Sequence, residues 1–77
     1  MAAVITLRRT RLMAYLRSAN LSNTALADRM GIHRTTLQRH LAGVIRPGED
    51  FIGALLLALP KARFEDLFEV APAREAS

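Results

Sequence analysis

The feature that most constrains this chain is a pair of short amphipathic segments that meet at Gly31. In the first segment Leu26 and Met30 lie four residues apart on one helical face. Ser22 precedes this segment and is a residue type that accepts amide hydrogen bonds at a helix start. Gly31 follows it, where a helix end favours a positive φ angle. The sequence therefore predicts a helix over about 23–30, a sharp turn, and a second helix directly after it.

The second of these helices, over about 33–42, is polar on most of its surface. Only Leu37 and Leu41, with Ala42 as a further candidate, are expected to face a core. The other residues are Arg, Thr, Gln and His, which are hydrogen-bond donors and not the Glu and Lys of a generic solvated face. Two short helices around a glycine turn are the arrangement in which the second helix enters the major groove of DNA.

Three further helices complete the prediction. We expect an amphipathic first helix over about 6–19, an apolar fourth helix between Pro47 and Pro60, and a short fifth helix around Phe64. The sequence has no stretch of period-two alternation that would indicate a strand. The predicted fold class is therefore all-α, with five helices and short connections.

Length and composition limit the chain to one small domain. Its 77 residues cannot hold a second core, and 51% hydrophobic residues are enough for one. We expect this domain over 1–70 and a tail, 71–77, that frays. The longest apolar stretch has nine residues, whereas a membrane span needs about 20, and the lack of cysteine suits a reducing cytosol, so a cytoplasmic protein is expected.

The charge is unevenly distributed along the chain. Residues 1–46 contain eight arginines and one acidic residue, Asp28, a net charge of +7, whereas residues 47–77 carry a net charge of −3. A basic half of this kind favours a polyanionic partner, and solvated helix faces are the alternative explanation.

With these features the sequence resembles the Xre/Cro/cI-like helix-turn-helix family of phage and bacterial transcription regulators. The segments that carry the resemblance cover most of the chain: residues 7–12, 21–43, Arg46-Pro47 and 64–68. The resemblance implies a protein of the bacterial cytoplasm or of a phage-infected host cell. The resemblance implies a compact, lambda-repressor-like domain without a cofactor. Many members hold a buried Arg on the first helix against a Glu on the third, and the matching residues here, Leu16 and Leu41, are both apolar. Packed hydrophobic residues often replace a buried ion pair without loss of stability.

The resemblance also implies which residues meet DNA. The start of the third helix and its next turn would read bases, and the helix starts and the loop after the third helix would bind phosphates. The implied base-reading residues are Arg34, Thr35, Gln38 and Arg39. The implied phosphate-binding residues are Ser22, Asn23, His33, Thr36 and Arg46. The residue types agree, since the arginine fork matches guanine O6 and N7 and glutamine matches adenine N6 and N7, although an ordinary exposed face is the alternative.

On the first helix, the basic cluster Arg8, Arg9 and Arg11 could bind phosphates, and Arg8 and Arg11 are the residues assigned to the predicted site, with a merely solvated basic cluster as the equal alternative. Catalysis and metal binding are not expected. Cysteine is absent, and His33 and His40 without a nearby acid make a poor metal site. Ser22 with Asp28 is no catalytic pair, because the hydroxyl of a capping serine is occupied by backbone amides.

The predicted function is that of a small repressor that occupies a double-stranded DNA operator. One such module reads too few base pairs for selectivity, so we predict a homodimer on a pseudo-palindromic operator with half-sites about 34 Å apart, with monomers bound cooperatively to adjacent sites as the alternative. The candidate interface residues are Phe64, Leu67, Phe68 and Val70, for which core burial is the equal alternative. The rival functions are a protein-interaction module, such as an antitoxin or adaptor, and non-specific architectural DNA binding.

Overall fold

The computed structural model describes residues 3–72, which form five helices and two short strands. In chain order the elements are β1 (Ala3–Leu7), α1 (Arg9–Ser18), α2 (Asn23–Met30), α3 (Arg34–Leu41), α4 (Glu49–Ala58), α5 (Phe64–Leu67) and β2 (Phe68–Pro72). The domain is therefore mostly helical, as predicted, with a small sheet that the sequence did not predict.

The turn between α2 and α3 forms as the residue types predict. The Ser22 hydroxyl accepts a hydrogen bond from the Ala25 amide at 3.1 Å and so caps α2. Gly31 follows α2 with φ of 72°, a left-handed conformation that a side chain disfavours. The Ile32 amide then donates to the Ala27 carbonyl at 3.1 Å, which closes the end of α2. These bonds fix the direction in which α3 leaves the turn.

The core lies between the helices and is built mainly from leucine. α2 packs against both α3 and α4, and α1 packs against α5. Leu16 is buried and Leu41 packs against the core, so the apolar residues at these two family positions stabilise the interior. The fully buried side chains are Leu12, Leu26, Leu37, Leu55, Leu59, Leu67 and Phe68.

The prediction of an all-α fold is wrong at the two ends of the domain. β1 and β2 pair antiparallel, with Leu7 opposite Phe68 and Ala3 opposite Pro72. α1 consequently begins at Arg9 and not at Thr6. The tail was expected to fray from Ala71, but Ala71 and Pro72 belong to β2, and residues 73–77 lie outside the described residues.

The sequence did not predict the strands because the contacts that stabilise them are not local. Val4, Ile5 and Thr6 are β-branched residues that favour a strand, but β1 shows no alternation of apolar and polar residues. Its pairing partner is more than 60 residues away along the chain. Phe68, read as a continuation of the fifth helix, instead leaves α5 in an extended conformation, with φ of −133° and ψ of 153°.

Candidate nucleic-acid interface

α3 presents the four predicted base-reading residues on one exposed face. At about 100° per residue, these four side chains fall within an arc of roughly 140°. Leu37 and His40, which are buried, lie on the opposite side of the helix. The exposed face is therefore available to a ligand while the other face anchors α3 to the core. The residues of this reading face are Arg34, Thr35, Gln38 and Arg39, all of them exposed.

His40 anchors α3 through its aromatic ring. The ring stacks on Phe51 with 3.8 Å between the centroids and an angle of 8° between the planes. His40 Nδ1 lies 3.0 Å from the Thr36 carbonyl, and since a carbonyl only accepts, Nδ1 carries the hydrogen. His33, in contrast, is exposed at the start of α3, so the two histidines differ in burial.

The first turns of α2 and α3 differ in how they are capped. Ser22 caps α2 with its hydroxyl, and Asn23 is half-buried beside it. His33 precedes α3 but makes no side-chain hydrogen bond to its first turn. The amides of that turn, which belong to Arg34, Thr35 and the half-buried Thr36, therefore receive no capping side chain from His33. Such amides suit an anion such as a phosphate.

The structure separates the arginines near the start of α1. Arg8 is half-buried and its Nε donates to the Phe68 carbonyl at 3.2 Å, so it holds the two ends of the domain together. Arg11 lies beside Asp66 and Leu67 of α5, in a hollow to which α3 does not contribute. Arg8 is thus bonded within the domain, and Arg11 lies in a hollow apart from α3.

Arg9, a member of the predicted basic cluster that was not assigned to the site, is the α1 arginine that lies next to the reading face. It lines a hollow with Gln38, Leu41 and Ala42 of the α3 segment. Spacing along α1 does not distinguish Arg9 from Arg8 and Arg11, because all three fall within its first turn or directly before it. Only the packing of α1 against the rest of the domain brings Arg9, and not Arg8 or Arg11, next to the reading face.

A groove of 330 Å³ joins Arg9 to the loop after α3. Arg46 lines the same groove from the loop side, and Leu41, Ile45 and Pro47 form its apolar wall. Two guanidinium groups thus border one depression at the end of the reading face. Together they extend the basic surface from α3 towards the loop.

The four candidate interface residues divide into core and surface. Leu67 and Phe68 are each 1% exposed, and Phe64 is half-buried and stacks on Phe68 at 5.2 Å between centroids. Core burial, the alternative explanation, accounts for these three side chains. Val70 on β2 is different because 56% of its surface is exposed.

Four acidic residues of the second half of the chain lie in the first turns of helices. Glu49 and Asp50 occupy the first turn of α4, where the helix dipole favours negative charge, and Glu65 and Asp66 do the same in α5. Over residues 3–72 the structure contains no group of three or more acidic or histidine side chains arranged to bind a metal ion. None of the helices in that range is long and apolar enough to cross a bilayer.

Comparison with known proteins supports the assignment of α2 and α3 as a helix-turn-helix. A family model described as helix-turn-helix matches residues 12–65, well over half of the chain. That range contains most of α1, all of α2 to α4 and the reading face, whereas β1 and β2 fall outside it. Searches of curated proteins and of solved structures gave no match. The chain belongs to the Xre/Cro/cI-like helix-turn-helix family of DNA-binding transcription regulators.

Proposed function

We propose that the protein is a small transcriptional repressor that recognises a specific double-stranded DNA operator. The observation that carries the proposal is the reading face of α3, whose four exposed side chains can all form hydrogen bonds to base edges. Occupancy of an operator that overlaps a promoter would block transcription without an effector domain. The operator would be pseudo-palindromic and bound by two copies of the chain.

Each part of the interface has a defined role in this proposal. Arg34, Gln38 and Arg39 form bidentate hydrogen bonds to purines, and the Thr35 methyl contacts a thymine methyl. The amides at the start of α2, next to Ser22 and Asn23, bind a phosphate, and so do the first-turn amides of α3. Phosphate contacts set the position of α3 in the groove, and base contacts give sequence specificity.

Arg9 and Arg46 add a phosphate contact at the far end of α3. They border one groove, so a backbone phosphate bound there meets two guanidinium groups. His33 is exposed at the near end, where it contacts a backbone phosphate. In this arrangement the two ends of α3 contact the DNA backbone, and the side chains between them contact the bases.

The decisive experiment begins with genomic fragments selected by the purified protein. An operator from these fragments and a scrambled duplex are then titrated with the wild-type chain and with Arg39→Ala. We expect the wild type to prefer the operator and Arg39→Ala to lose about 1–3 kcal/mol of that preference, since one bidentate contact is removed. Equal affinity for both duplexes would instead indicate architectural binding, and no binding would indicate a protein-interaction module.

A matched control separates specificity from charge. Arg29 is exposed on α2 and lines a separate hollow with Tyr15 and Lys61, away from α3. Arg29→Ala therefore removes the same charge as Arg39→Ala and should leave the preference for the operator unchanged. A loss of preference in both variants would contradict the assignment of Arg39 to base reading.

A further inference from the structure

His40 is the single buried polar side chain among residues 3–72. It is 9% exposed, whereas the other buried side chains in that range are apolar. The stack on Phe51 and the bond to the Thr36 carbonyl account for one face of the ring and for one of its two nitrogens. A leucine or a phenylalanine would fill the same space without burying a polar atom. The packing of α3 therefore gives no use for the second nitrogen, Nε2.

Nε2 opens into the groove that Arg9 and Arg46 border. It has no hydrogen-bond partner among residues 3–72, and a buried side-chain nitrogen or oxygen without a partner does not occur in that range. Nε2 therefore reaches the protein surface, and the groove of 330 Å³ is a hollow that His40 lines. α1, α3 and the loop after α3 thus bring three nitrogen-bearing side chains to one depression.

The hydrogen of the neutral His40 ring is fixed on the other nitrogen. Because the Thr36 carbonyl can only accept, Nδ1 carries the hydrogen, and Nε2 of the neutral ring has a lone pair and no hydrogen. Turning the ring over would break this bond. The oxygens of a DNA phosphate are also acceptors only, so a phosphate in the groove and a neutral Nε2 would place two lone pairs against each other.

We infer that His40 is a third ligand of the phosphate that binds between Arg9 and Arg46, and that Nε2 takes up a proton from solvent as the DNA binds. The imidazolium then donates to the Thr36 carbonyl through Nδ1 and to a phosphate oxygen through Nε2. The second bond is charge-assisted, and such bonds are roughly twice as strong as neutral ones. The inference rests on the proposed function, because it adds a proton to one phosphate contact of the operator complex.

The charges around the ring favour proton uptake together with the anion. Arg9 and Arg46 are the charged residues of the groove, and β1 contributes two uncharged residues to it. A third positive charge beside two guanidinium groups is stabilised when an anion lies between all three. Arg39 of α3 is exposed on the reading face, and the exposed Glu49 and Asp50 in the first turn of α4 do not line the groove.

His33 differs from His40 in this respect. It is exposed, and its side chain makes no bond to the first turn of α3. Either of its nitrogens can therefore carry the hydrogen, and a neutral His33 can donate to a phosphate without taking up a proton. Proton uptake is thus required of His40 and not of His33.

NMR of the ring nitrogens tests the inference on the wild-type chain, because the nitrogen shifts distinguish a protonated from an unprotonated Nε2. Titrations with acid are compared for the free protein and for the complex with the selected operator. We expect Nε2 of His40 to gain its hydrogen at a pH about one unit higher in the complex, since the bound phosphate stabilises the imidazolium. Loss of a hydrogen from Nδ1 is not expected in either state.

A second measurement follows operator affinity against pH. Both chains compared carry His33→Ala, so that His40 is the only histidine of the first chain. We expect the affinity of this chain to rise about three- to tenfold from pH 8 to pH 6, because up to one proton binds with the DNA. His40→Phe, in the second chain, keeps a ring to stack on Phe51 but cannot bind a proton. Its affinity should change by less than about twofold over the same range.

Other results overturn the inference. An Nε2 that gains its hydrogen at the same pH with and without operator, or an equal pH dependence of the two chains, excludes His40 as a phosphate ligand. A scrambled duplex, titrated in parallel, separates this failure from that of the proposed function. Preference for the operator without proton uptake rejects only the role of His40. Proton uptake with equal affinity for both duplexes rejects only the specific repressor, and binding to neither duplex rejects both.

Discussion

At the scale of single residues, the structure divides the arginines of the basic half by what each one touches. Arg34 and Arg39 are exposed on the reading face, whereas Arg8 is half-buried and bonded to the Phe68 carbonyl. Arg9 lines one hollow with Gln38 and another with Arg46. Equal formal charges therefore have unequal effects, because a guanidinium acts on DNA only where it reaches the duplex.

Arg9 and Arg11 give a direct test of this division. Arg9→Ala should weaken binding to operator and scrambled DNA alike and should reduce the slope of log affinity against log salt by about one, because one phosphate contact is lost. Arg11→Ala removes the same charge beside α5 and should leave the slope nearly unchanged. Titrations at several salt concentrations measure both slopes, and equal slopes for the two variants would contradict the placement of Arg9.

His40 gives a prediction about stability. His40→Ala should lower the free energy of unfolding by about 1–3 kcal/mol, because the stack on Phe51 and the bond to the Thr36 carbonyl are both lost. Exposed His33 makes no capping bond, so His33→Ala should change stability by less than about 0.5 kcal/mol. Urea unfolding followed by circular dichroism measures the difference. Equal effects would mean that the His40 ring does not anchor α3.

At the scale of elements, the turn between α2 and α3 sets the direction of the reading face. Two short helices of eight residues each have little stability in isolation, so their relative position depends on this turn and on the core. A Cβ added at Gly31 would meet no atom within 4 Å, but the φ of 72° is unfavourable for any residue with a side chain. The constraint at this position is therefore conformational and does not come from crowding.

Two glycine-to-alanine changes test that distinction. Gly31→Ala should destabilise the protein by about 1 kcal/mol, because an alanine is strained at positive φ. Gly53, in the middle of α4, likewise has free space where a Cβ would lie, but its φ is not positive. Gly53→Ala should therefore stabilise the protein by about 0.5–1 kcal/mol through helix propensity. Thermal melts of both variants give the two signs, and the same sign for both would contradict the conformational explanation.

At the scale of the whole molecule, the sheet joins the beginning of the domain to its end. β1 precedes α1, β2 follows α5, and Arg8 bonds to both Leu67 and Phe68 at the junction. The helical body between them carries the reading face, and the basic residues of that body outnumber the acidic ones. The helices thus carry a cationic surface. The pairing of β1 with β2 holds the two ends of the domain together.

The charge distribution predicts strong salt dependence of DNA binding. Affinity for any duplex should fall steeply with salt, with a slope set by the number of phosphates bound. The preference for the operator over scrambled DNA should change much less, because base contacts release few counterions. Competition titrations across a range of salt concentrations measure both quantities. An affinity that does not respond to salt would show that arginines make no phosphate contacts.

The sequence determined the helices and the turn because the interactions that specify them are local. Ser22, Gly31 and the apolar spacing of α2 and α3 act within a few residues, so α2 was predicted with its observed bounds and the four reading residues were found exposed. Only the tertiary structure decided the sheet, the selection of Arg9 and the burial of His40. Each depends on a partner distant in sequence, namely β2 for β1, Gln38 and Arg46 for Arg9, and Phe51 for His40, and local patterns do not specify such partners.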